Sequence, residues 1–87
     1  NLLSKTELAK AKKISKAIFF LKKKLTKSKN VKNLIINKKK EIINLFNVKV
    51  DYLELRNILN LKDSKNTKDS RLFVAYYINK VRLIDNF

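Results

Sequence analysis

The sequence predicts an α+β fold: a two-layer sandwich in which two N-terminal helices pack on a small three-stranded antiparallel sheet, in the order ααβββ. Three observations carry this. Apolar residues recur every three or four positions through the first half of the chain. Near residue 48 the side chains become β-branched, aromatic and partly alternating. Helices also precede the strands instead of alternating with them, which separates the pattern from a parallel α/β fold.

The first helix is announced by S-K-T-E at Ser4, where the hydroxyl and the Glu7 carboxylate can reciprocally satisfy two free amides of a helix start. Leu8, Ala11, Ile14, Ile18, Leu21 and Leu25 then give an apolar stripe over residues 6–25, and lysines occupy most of the remaining circumference. Residues 26–30 are polar and break the period. Val31, Leu34, Ile35, Ile42, Leu45 and Phe46 restore it in a second helix that ends near Asn47, with Lys38 to Lys40 on its wet side.

The run VKVDYLELR over residues 48–56 reads as a strand. Val48, Val50 and Tyr52 share one parity and Leu53 and Leu55 the other, so the buried face switches near Asp51 and Tyr52, as a bulge or burial on both faces would produce. Residues 62–70 are polar throughout and form a loop. RLFVAYYI and VRLID, parted only by Asn79 and Lys80, read as a hairpin, because Asn tolerates a left-handed backbone better than other residues with a Cβ. The third strand is expected beside the second.

With 87 residues the chain is one domain, 1–87, able to bury one modest core. A formal charge of +15, from 22 basic and 7 acidic side chains, is the balance of a partner for nucleic acid or an anionic surface. Yet lysine outnumbers arginine 19 to 3, and Lys, Asn and Ile supply 39 of the residues, so codon drift toward A/T explains the same bias. Bidentate reading of phosphate or guanine would favour arginine. No cysteine is present, so neither disulfides nor thiolate chemistry arises. No stretch approaches the ~18 apolar residues of a membrane span, and a cytoplasmic location without membrane attachment is the expectation. The absence of glycine and of an initial Met gives the expectation of a piece of a longer protein.

Catalytic chemistry finds little support. There is no His to act as a base near neutrality and no Gly-rich loop for phosphates. Asp51 and Glu54 are the obvious carboxylate pair, but positions i and i+3 of a strand face opposite sides, so surface or strand-end hydrogen bonding is expected of them. Scattered carboxylates without His or Cys offer no metal set. Phe19, Phe20, Tyr76 and Tyr77 are candidate stacking platforms for bases, and a basic helix flanked by phenylalanines could also lie on anionic lipid. Burial in the core is the preferred role for all four rings.

The strings V-D-Y-L-E-L-R at 50–56 and V-A-Y-Y-I-N-K-V-R-L-I-D-N at 74–86 follow an N-L-L-S-K-T-E-L helix start. In that order they resemble the C-terminal domain of the pantothenate synthetase (pantoate-β-alanine ligase) family, whose D-Y-x-E strand precedes a hydrophobic strand, a turn and R-L-I-D-N. The motif positions are Asp51, Tyr52, Glu54, Arg82, Leu83, Ile84, Asp85 and Asn86. Leu2 stands where the family has tyrosine, Asn79 where glycine is usual, and lysine is denser than in the family. The resemblance spans the whole chain, with Asn1 placed just after an S-S-R-N segment of a preceding domain.

The resemblance implies a bacterial AMP-forming ligase of the pantothenate and coenzyme A route, which uses ATP with Mg2+ to adenylate pantoate before β-alanine attacks. Its nucleotide-binding residues belong to an N-terminal domain outside this chain, so no catalytic, cofactor-binding or metal residue is carried over. This chain would be the hinged lid, inactive alone, with that N-terminal domain as its partner and a homodimer compatible with the reading. Arg82, Asp85 and Asn86 are then expected to satisfy strand-end polar groups, with Leu83, Ile84 or both buried. A small basic nucleic-acid-binding module is the alternative.

Overall fold

Ser4 opens the first helix as expected. In a computed structural model that describes residues 3–64 and 66–87, its hydroxyl accepts the Glu7 amide at 3.2 Å and its own amide donates to the Glu7 carboxylate at 2.9 Å. Asn1 and Leu2, on which part of the family resemblance rests, lie outside the described residues. Helix α1 spans Lys5–Leu25 and helix α2 Val31–Phe46. Lys22, Lys23 and Lys24 in the last turn of α1 complement the negative end of its dipole. Asn47 ends α2 by taking a left-handed conformation, φ 53° and ψ 49°, which terminates the ladder at low steric cost for Asn.

Strands β1 (Lys49–Asn57), β2 (Ser70–Ile78) and β3 (Val81–Asn86) form one antiparallel sheet in the order β1-β2-β3. The predicted ααβββ order and the place of the third strand beside the second both hold. The register slips between Val50 and Tyr52, leaving Asp51 without a partner in β2. Of the two arrangements that the parity switch allowed, the chain takes the bulge, which lets Val50 before it and Leu53 and Leu55 after it face the same core. At the hairpin Asn79 has φ 55°, and its side-chain amide donates to the Glu7 carboxylate at the start of α1.

The connection between β1 and β2 begins earlier than its polar run suggests, because β1 stops at Asn57. The Asn57, Asn60 and Asn66 side chains each accept a backbone amide two residues on, building successive Asx turns. Asp63 returns to form an isolated bridge with Arg56.

The core lies between the layers. Ile14, Ile18, Leu21 and Leu25 of α1 and Val31, Ile35 and Ile42 of α2 meet Val50, Leu53, Leu55, Leu72, Val74, Tyr76 and Ile78 of the sheet. Burial of Tyr76 raises the pKa of its phenol, while a hydrogen bond with the Ser15 side chain opposes the rise.

Two expectations about apolar residues of the helices are corrected, whereas the expected burial of Leu83, Ile84 or both is met by Leu83. Phe19 and Phe20 are not core residues: they are 47% and 49% exposed, because an advance of about 100° per residue carries both past the buried stripe. Leu8 and Leu45, assigned to the stripes, are also exposed. In β3 only Leu83 packs on the core; Ile84 pairs with Ala75 on the opposite face and is 62% exposed. Tyr77 is half-buried on that outer face, next to the fully inward Tyr76.

Candidate functional site

The sheet face turned away from the helices gathers the chain's three arginines. Arg56 pairs with Arg71 across β1 and β2, and Arg82 pairs with Tyr77 across β2 and β3. Each guanidinium has its own acceptor. Arg82 donates to an Asp51 carboxylate oxygen at 2.8 Å. Arg56 donates through Nε to Glu54 at 2.6 Å and through Nη1 to the Leu61 carbonyl at 2.7 Å. Arg71 donates to the Asn86 side-chain oxygen at 2.9 Å. The bonded carboxylates hold Arg56 and Arg82 above the usual guanidinium range.

Asp51 and Glu54 do not face opposite sides as an unbroken strand would require. The bulge at Asp51 resets the parity, so both reach arginines on the outer face. They are nevertheless engaged separately, one with Arg82 and one with Arg56, which fits the hydrogen-bonding role expected of them. Asp85 accepts the backbone amide of Asn86 at 2.8 Å. Tyr52 is half-buried opposite Ala75. Six of the eight motif positions thus build one surface: Asp51, Tyr52, Glu54, Arg82, Ile84 and Asn86. Leu83 and Asp85 have the parity of the inner face.

Two ties between the layers were not anticipated. The Lys22 ammonium donates to the carbonyls of Ser70 at 3.3 Å and Phe87 at 2.7 Å, clamping α1 to the end of the sheet. Desolvation, and then the charge of Arg71, lowers the Lys22 pKa. Glu7 serves the α1 cap and the Asn79 turn together. Only the position of Lys22 at the border of the apolar stripe signals the first; no local pattern signals the second, which joins residues 72 apart.

A groove of about 510 Å3 runs between the first turn of α2 and β1, lined in part by Lys32, Ile35, Leu53, Leu55 and Asp63. Among the described residues no three His, Cys, Asp or Glu side chains come together. Asp51 and Glu54 on the outer sheet face already pair with Arg82 and Arg56, so this donor set does not fit a site for Mg2+ with nucleotide phosphates. No reaction step follows from these side chains.

Two helices packed on a three-stranded antiparallel sheet, whose outer face carries paired charges, define a two-layer α+β domain. The pantoate-beta-alanine ligase family model matches residues 1–87, and the chain belongs to that family. No curated protein and no solved structure matches it. Among the described residues no helix is long and apolar enough to cross a membrane.

Proposed function

We propose that this chain is the C-terminal lid of an ATP-dependent, AMP-forming pantoate-β-alanine ligase, closing over an active site carried by a separate nucleotide-binding domain. The family match over the whole chain supports the ligase, and the self-paired ionisable groups support a covering rather than a reacting part. The parent enzyme would join pantoate to AMP with loss of pyrophosphate. β-Alanine nitrogen would then attack the acyl carbon and expel AMP. An acyl adenylate is readily hydrolysed, so a domain that excludes water raises the share of adenylate that reaches the amine.

The observation that carries the reading is the match of residues 1–87 in a chain whose Asp51 and Glu54 carboxylates are taken up by Arg82 and Arg56. The test compares the nucleotide-binding domain with and without this chain fused to it. AMP and pantothenate are to be released in near-equal amounts with the chain, whereas without it AMP is to exceed pantothenate. The chain alone forms no pantothenate. Turnover by the chain alone, or an unchanged AMP-to-pantothenate ratio, overturns the proposal.

A further inference from the structure

Most of the positive charge of this molecule belongs to the helical part of the chain. Residues 1–48 hold fourteen basic and two acidic side chains, a formal +12, whereas residues 49–87 hold eight and five, a formal +3. On the sheet, Arg56 and Arg82 are matched by carboxylates. In α1 the one acidic residue, Glu7, is held in the first turn by Ser4 and Asn79.

Lys12, Lys16 and Lys23 run along the side of α1 opposite its buried stripe, with Phe19 and Phe20 flanking that line. The two exposed rings meet edge to face, with centroids 5.9 Å apart and planes at 65°. The Lys23 ammonium lies 4.8 Å from the Phe19 centroid and 5.9 Å from that of Phe20. Together they make an apolar wedge set in a cationic surface.

We infer that this outer face of α1 docks on an anionic phospholipid bilayer, with the lysines at the headgroups and the Phe19-Phe20 wedge entering the acyl boundary. Lysine ammoniums are attracted to anionic headgroups as charges and need no bidentate geometry. Phenyl rings carry no polar atom and gain by leaving water for the bilayer interface. Nucleic acid fits less well. All three arginines, the side chains best suited to bidentate phosphate and base contacts, lie on the other layer. Association is peripheral, since no described helix suits a membrane span. The inference does not rest on the ligase reading.

The test is co-sedimentation of the 87-residue chain with vesicles of phosphatidylcholine, alone or with about 30% phosphatidylserine, at about 0.1 M NaCl. Binding is expected to be at least about tenfold tighter to the anionic vesicles and to be lost at about 0.5 M NaCl. The double variant F19A/F20A, whose rings lie outside the core, is expected to keep its helical circular dichroism and bind about tenfold more weakly. The triple variant K12Q/K16Q/K23Q is expected to lose binding similarly. K62Q/K68Q/K80Q, with the same charge change on the sheet half, stays within about twofold of the parent.

Absence of vesicle binding overturns the inference, as does binding indifferent to the phenylalanines. Equal losses in the two lysine triples would reveal adsorption by net charge and overturn it too. Displacement from the vesicles by single-stranded RNA at equal phosphate concentration would assign the face to nucleic acid instead.

Discussion

The Arg82 guanidinium bonds the Asp51 carboxylate at 2.8 Å across the outer sheet face, linking β3 to β1 although β2 lies between them. It also joins the two sequence strings on which the family resemblance rests. Asp51 can reach outward because the bulge after Val50 releases it from pairing with β2. The motif therefore records a geometrical relation between two edge strands.

That relation is not a large source of stability. Both side chains are substantially exposed, at 39% and 45%, so water and salt screen the pair. Arg82→Ala and Asp51→Ala are each expected to lower the melting temperature by less than about 4 °C, with the double variant no worse than either. The differences should fade in about 1 M salt. A calorimetric loss of 10 °C or so would show the pair to be coupled to sheet packing instead.

Adjacent positions in α1 differ sharply. Ile18 is fully buried and its truncation to Ala is expected to remove about 2–5 kcal/mol of stability, through lost burial and an incompletely collapsed cavity. Phe19→Ala, one residue on and 47% exposed, should change it by less than about 0.5 kcal/mol. Urea unfolding of the two variants checks the orientation of the helix directly.

At the hairpin Asn79 combines a left-handed backbone with a bond to Glu7. Asn79→Ala is expected to cost about 1–2 kcal/mol, since a Cβ opposes this conformation without the local compensation Asn provides. Asn79→Gly keeps the turn and loses the Glu7 bond, so it should fall between Ala and the parent in urea midpoint. Equal midpoints for the Gly and Ala variants would refute the separation of the two roles.

Acid should weaken the same corner. The Ser4 amide, then the Asn79 amide and the Ser4 hydroxyl, hold Glu7 below the ordinary glutamate range. The folded chain thus binds this proton less readily than the unfolded chain. Its contribution is complete above the ordinary glutamate pKa of about 4.3 and is lost as pH falls through the depressed folded value. Urea midpoints measured from about pH 6 to pH 3 should decline less steeply in Glu7→Gln than in the parent.

Lys22 offers a test of the clamp between layers. Lys22→Ala removes the donors to the Ser70 and Phe87 carbonyls and is expected to cost about 1 kcal/mol, whereas Lys24→Ala, exposed in the same turn, should be nearly neutral. Faster amide exchange at Leu72 and Phe87, which exchange backbone bonds with each other, would accompany the loss.

Sequence by itself determined the element order, the capping box, the switch of buried face near Asp51 and the Asn79 turn, because each follows from short-range periodicity or local backbone preference. It could not place Phe19, Phe20 or Ile84, since apolar side chains at the margin of a stripe enter the core only if a facing layer is wide enough to cover them. Tertiary structure also decided that Asp51 and Glu54 share a face, that Arg82 reaches Asp51, and that Lys22 and Glu7 bind distant backbone and turn. Those outcomes depend on how strands and helices are juxtaposed across tens of residues, and no local preference encodes a distance of that kind.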